Sequence, residues 1–291
     1  MTDGYREEVL TLLPLTLIII LGLIPSRRQP ESYFLAKQRW RYRHVIIVAL
    51  IIAAGQWVPP PGAAAASGMW LGALRYGFIG FITIASVLSV ARLNHRRAWR
   101  ALGLNPTTAL YNVLWSLRIA FAIASVLAII AVLGRAGSIT RVESTVNAAG
   151  AAFGDWLVAI LVTTIVVPLA EELFFRGLAY GPLLRKWGPI GATIGTAALW
   201  AVTHYSEYSW AGFLSVSWVF LVGIVYAEVY RRRESLIPTV TLHVVNNTIA
   251  VFVRGGYLAG FAGLAGFSVA FWIIAVVWFR MVSRSQTTIT A

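Results

Sequence analysis

The run "VVPLAEELFFRG", residues 166–177, sets Glu171, Glu172 and Arg176 within or against the end of an apolar stretch. A carboxylate in hydrocarbon costs roughly 2.5–3.5 kcal/mol on insertion scales, and here two stand side by side. The surrounding chain makes hydrocarbon the expected setting. Its 291 residues are 58% hydrophobic and only 12% charged, about half the charged share of a soluble domain. Apolar segments fall near residues 9–25, 45–59, 69–91, 111–134, 156–180, 187–206, 211–230, 236–253 and 257–279. Several reach the length of a transmembrane helix, and none alternates with the period of two that a membrane barrel needs. The expectation is an all-α, polytopic helical transmembrane bundle of about eight to nine spans.

Loop charge orients the bundle. Residues 26–44 hold six Lys/Arg and residues 92–100 hold four, while "RRR" at 231–233, Arg280 and Arg284 are basic again. The alternate loops are nearly bare of positive charge. Basic loops stay on the cytoplasmic side, so nine spans with the N-terminus outside and the C-terminus cytoplasmic satisfy the alternation. Eight spans result if the second and third segments form a hairpin that does not fully cross. Arg75 and Arg118, inside predicted spans, read as snorkelling cations. The net charge of +13 is thus a topology signal, and no nucleic-acid partner is expected. The acidic "MTDGYREE" with no A-x-A site downstream reads as leading into a retained span. Arginine over lysine and abundant alanine point to a bacterial cytoplasmic membrane. The absence of cysteine removes disulfides, thiolate metal sites and a cysteine nucleophile.

The informative residues are the polar ones that loops do not excuse. His44 and His95 lie on basic loops, but His204 in "LWAVTH" and His243 in "TLHVVNN" lie in apolar segments. A single such histidine serves equally well as a hydrogen-bonding strut between helices. Glu172 and Arg176, four apart, share a helix face and can neutralise each other. Glu171 points about 100° away and has no local partner, which makes it the better candidate for chemistry. His243 and Asn247 are also four apart and stack on one face. Pro168 should kink the fifth segment and free a carbonyl near the acids. A buried acid, two histidines and an asparagine from three segments imply one polar cavity.

Neither a G-x-S-x-G elbow nor an H-E-x-x-H pair is present. Glutamate with histidine can orient and deprotonate a water, and His243 with Asn247 could hold the resulting oxyanion. Amide hydrolysis within the membrane fits these groups, with no cofactor expected. A zinc ion on Glu171, His204 and His243 is the alternative.

These motifs resemble a known family. "EELFFRG" resembles the EExxxR motif of the CAAX-protease and bacteriocin-processing family, called CPBP or Abi and related to the type II CAAX prenyl endopeptidases. "WAVTH" resembles its second motif, an aromatic four residues before a histidine, and "HVVNN" its third, HxxxN. Pro168, Gly177, Gly223 and "ESLIPTVTLH" agree with the same pattern. Trp200 is the one departure, standing where phenylalanine is commoner, and no chemical consequence is expected of it. The resemblance covers residues 150–252 as a catalytic core. Residues 1–149 then form a transmembrane region of unassigned role, and 253–291 a last helix with a short cytoplasmic tail. It implies an intramembrane endopeptidase with Glu171 as the base and His204 helping to position water. His243 and Asn247 would form the oxyanion site, with Glu172 and Arg176 in support. The partners would be a membrane protein or peptide substrate and the bilayer. A catalytically idle bacteriocin-immunity or scaffolding protein, or a proton-coupled transporter, are the competing readings. A shared site also requires His204 to lie near Glu171, which predicts an interfacial loop at 181–191 and a sixth span starting nearer Ile194.

Overall fold

A computed structural model describes residues 38–62, 68–120, 153–204 and 210–254. Every regular element among them is helical, as expected, and none is a strand. In chain order they are α1 (Tyr42–Gln56), α2 (Gly68–Asn94), a one-turn helix Ala98–Ala101, and α3 (109–120). The helical run from Phe153 to Val202 follows, and then α7 (Trp210–Arg233) and α8 (Leu236–Arg254). The predicted spans at 9–25 and 257–279 lie outside the described residues, as does the second half of the one at 111–134.

Two stretches are long and apolar enough to cross a membrane, Trp70–Asn94 and Leu157–Val202. α1 and Leu236–Val251 are shorter apolar helices. At 15 residues, α1 rises only about 22 Å, short of the roughly 30 Å hydrocarbon layer. It buries Val45, Val48 and Ala49 along α2 and exposes Ile47, Leu50 and Ile51. A helix apolar on both faces belongs in lipid or a deep core, and this one is half outside. The same holds for Phe81, Ile165, Ile190, Phe213 and Leu221, all exposed. Arg75 and Arg118 also stand on exposed faces, where snorkelling is open to them.

The run from residue 153 contains α4 (Phe153–Leu161), a π-helical stretch Val162–Val166, α5 (Val167–Glu172), a second π stretch Leu173–Ala179, and α6 (Tyr180–Val202). The loop predicted at 181–191 is therefore helix, interrupted at one residue. Gly188 takes φ +74 and ψ −177, a backbone state that glycine adopts without penalty, and Pro189 starts the next turn. Its neighbours Gly191 and Gly195 are packing sites, because Trp187 lies directly over both. The glycines that read as a flexible loop instead let the chain bend in a single residue.

α2 runs beside α4, α5 and both π stretches, with Gly80 so close to Val166 that a Cβ would stand 2.8 Å from its Cγ1. Close approach at a small residue is how helices associate where lipid removes the hydrophobic drive. α6 and α7 pack together along their length. The start of α8 is fastened by Ser235, whose Oγ accepts the Ile237 N–H at 3.3 Å and donates to the Gly103 carbonyl at 2.9 Å. A side-chain oxygen accepting the N2 amide is an ordinary N-cap. Arg233 completes the fastening by donating to Asn112 Oδ1 at 2.8 Å, between the rings of Tyr111 and Trp115. The depth of His243, two turns into α8, follows from this anchor.

Candidate active site

The site begins with a missing donor. Pro168 has no N–H, and the Val167 N–H bonds the Val162 carbonyl five residues back. The ladder has thus widened to π spacing before the proline, and neither residue can serve the Thr163 carbonyl. Asn247 Nδ2 serves it instead, donating from α8 at 3.0 Å. A broken helix needs such a graft when no water can supply one. The second π stretch starts directly after Glu172 and carries Arg176. Such stretches recur at functional sites, and here one lies on each side of the two acids.

Glu172 is sealed, with no side-chain exposure, and so is Arg176, which donates from Nη1 to Glu172 Oε1 at 2.9 Å. The expected pairing is present. Arg176 Nη2 donates to the Gly223 carbonyl at 3.1 Å, tying the π stretch to α7. Gly223 has no room for a side chain, since a Cβ would stand 3.0 Å from Trp200 Cε3 and 3.1 Å from Ala197 Cα. Glu172 Oε1 also stands 3.1 Å from His243 Nδ1. A carboxylate can only accept, so Nδ1 carries the proton and Nε2 faces the other way.

There it meets Glu171, whose Oε2 lies 3.7 Å from Nε2. His243 therefore stands between the two acids. Glu171 keeps 23% of its side chain exposed, against none for Glu172. Its closest partner is Trp200, whose indole Nε1–H donates to the same Oε2 at 2.6 Å. The Trp200 ring meets His243 edge to face with centroids 5.2 Å apart, and His204 at 5.1 Å. The Arg176 guanidinium lies 4.9 Å from the Trp200 ring centre. Tyr226 from α7 leans over His243 on another side, at 5.4 Å.

Glu171, Glu172, Arg176 and His243 are thus joined by direct polar contacts. Asn247 stands one turn beyond His243, committed to the Thr163 carbonyl. His204 reaches the group only through Trp200. Its Nδ1 stands 3.0 Å from the Trp200 carbonyl, and it makes no hydrogen bond or ion pair with Glu171. Among the described residues no three His, Asp or Glu side chains converge as a metal-holding cluster. In this arrangement Glu171 and His243 stand together, and His204 does not complete the set.

Two features lay beyond the sequence reading. One is the bond between Glu172 and His243, which gives the supporting acid a direct part in orienting the histidine. The other is Trp200, from which no chemical consequence was expected. Its indole N–H is the nearest donor to Glu171, a bond that phenylalanine cannot make. The available signal was the residue type itself, a tryptophan where a pure hydrocarbon ring would fill the space.

Residues 153–249 match the family described as Type II CAAX prenyl endopeptidase, Rce1-like. This match agrees with the CPBP resemblance of the three motifs, and it supports a membrane-embedded protease. The matched stretch begins at the first turn of α4, ends within α8, and contains every site residue named above. No curated protein and no solved structure matches the chain.

Proposed function

We propose that this protein is an intramembrane endopeptidase that hydrolyses peptide bonds of a membrane-associated protein or peptide, using water activated by Glu171. The observation that carries the reading is the contrast between the acids on either side of His243. Glu172 is sealed and paired with Arg176, while Glu171 is partly open and free of a cation of its own on its helix. A carboxylate with one oxygen held by Trp200 can take a water proton on the other.

In the proposed reaction a water gives its proton to Glu171 as its oxygen attacks the scissile carbonyl carbon. The carbonyl oxygen becomes an oxyanion. His243 has a carboxylate at each ring nitrogen, so its protonated form puts a donor at Nε2 beside the reacting centre. A fixed donor aimed at developing charge is typically worth about 10²–10³ in rate. When the tetrahedral species collapses, the C–N bond breaks and Glu171 returns its proton to the departing amine. Asn247 supports the site first by capping the broken helix. To join His243 at the oxyanion, its amide must swing away from Thr163. His204 sets one face of Trp200.

The test is cleavage of a membrane-peptide library by detergent-purified wild type and by Glu171→Gln, each with and without chelator. Glutamate-activated water predicts a fall of about 10²–10⁴-fold in Glu171→Gln and indifference to chelator. Wild-type cleavage retained by Glu171→Gln would remove the base. Activity lost to chelator and restored by zinc would move the chemistry to a metal on Glu171, His204 and His243.

A further inference from the structure

We propose that Trp200 is a positioning residue for Glu171: its indole N–H holds one carboxylate oxygen in place and leaves the other for the water. The inference rests on the peptidase reading and names a part of the machinery that the motifs do not assign.

Three observations carry it. The bond from Trp200 Nε1 is 2.6 Å long and ends on Oε2, the oxygen that faces His243 Nε2 across 3.7 Å. Of these two neighbours only Trp200 lies within hydrogen-bond distance of Oε2, so the indole sets where the carboxylate stands. The described residues bring no donor to Oε1, so the second oxygen is the one presented to water.

The indole cannot easily move. Only 3% of Trp200 is exposed. Its ring is enclosed by His204, His243, Tyr226 and the Arg176 guanidinium. α7 closes against it at Gly223, where a single added methyl would stand 3.0 Å from Cε3. The absence of a side chain at Gly223 and the presence of a large ring at Trp200 fit together as one device. α7 approaches closely enough to fix the ring, and the ring fixes the acid.

Phenylalanine at this position would fill much of the space and donate nothing. Glu171 would then lose the contact that fixes Oε2 and turn out of the geometry in which Oε1 meets the water. A hydrogen bond to an ionised group that is made in the working geometry is worth about 10- to 100-fold.

The deciding comparison is wild type, Trp200→Phe, and Trp200 replaced by β-(3-benzothienyl)alanine, which keeps the bicyclic shape and loses only the N–H. The expected result is a kcat lower by about 10- to 100-fold in both variants, with KM within about twofold. The acidic limb of the pH–rate profile should move to higher pH, because an ionised carboxylate has lost a donor. The benzothienyl protein should stay fully folded at the assay temperature. A benzothienyl protein with wild-type kcat and pH profile overturns the proposal. So does a loss of kcat without movement of the acidic limb, which would mark Trp200 as packing alone. If wild type cleaves nothing, the peptidase reading fails, and the positioning role is decided without turnover. pH-difference infrared spectra, referenced to Glu171→Gln, should then show the Glu171 carboxylate titrating at higher pH in the benzothienyl protein. An unmoved titration overturns the role.

Discussion

Replacing Arg176 by methionine is the most demanding test of how two acids are tolerated in an apolar run. Both partners of the ion pair are fully enclosed, with 2.9 Å between Nη1 and Oε1. Methionine keeps much of the length and none of the charge. Removing one partner of a buried pair typically costs 3–5 kcal/mol, because the other charge stays behind without compensation. Glu172 retains its contact with His243 Nδ1 at 3.1 Å and a side-chain hydrogen bond with Thr239, and an imidazolium at His243 would offset part of the loss. The lost carbonyl contact to Gly223 adds to it. The balance stays near 3–5 kcal/mol, a fall of roughly 6–20 °C in melting temperature for a chain of this size. The assay is thermal unfolding in detergent of wild type, Arg176→Met, and the double variant Arg176→Met with Glu172→Gln. Removing both charges should recover most of the loss, since no orphaned carboxylate remains. If Arg176→Met melts within about 2 °C of wild type, the pair is not what makes the acids tolerable. If the double variant melts as low as the single one, Arg176 contributes through packing and the Gly223 carbonyl rather than through charge.

Gly223→Ala should cost about 1–3 kcal/mol by overpacking, because one obstacle at 3.1 Å is the backbone Cα of Ala197, which cannot turn aside. The same variant should lose activity beyond its loss of stability, since the displaced ring is Trp200, and comparison of kcat with melting temperature separates the two. Asn247→Ala should lower stability by about 1–3 kcal/mol by leaving the Thr163 carbonyl without a donor. An Asn247→Ala protein that melts like wild type would show that the carbonyl is satisfied some other way. His95, on the turn after α2, is held below its usual pKa by burial and by Arg39 nearby. Its Nε2 accepts the Arg39 backbone N–H at 3.0 Å, which needs the neutral ring. A depressed folded value means stability that is complete above the unfolded pKa of about 6.5 and lost as pH falls below it. Melting temperature should therefore drop between about pH 7 and pH 5, with a shallower drop in His95→Gln.

Periodicity and composition were enough to read an all-helical architecture, because runs of apolar residues this long have few other uses. The four-residue spacing of Glu172 and Arg176 was enough for their ion pair, which needs only local helix geometry. The three motifs were enough to nominate Glu171, His204, His243 and Asn247, since polar side chains in apolar segments need a reason. The predicted loop at 181–191 failed because glycine and proline there serve a sharp bend and the seat of Trp187. Local composition does not distinguish a flexible turn from a tight one.

What the amino-acid sequence determined by itself was therefore the helical class and the list of residues out of place. The tertiary structure decided their partners: Glu172 on His243, Asn247 on Thr163, and the Trp200 indole on Glu171. These bonds join residues 29, 71 and 84 positions apart in the chain. Their lengths depend on how closely α6 and α8 approach α5 and the π stretch before it, with α7 packed against α6. That approach is set by Gly223 and by the anchoring of Ser235 to Gly103, contacts that no periodicity along the chain encodes.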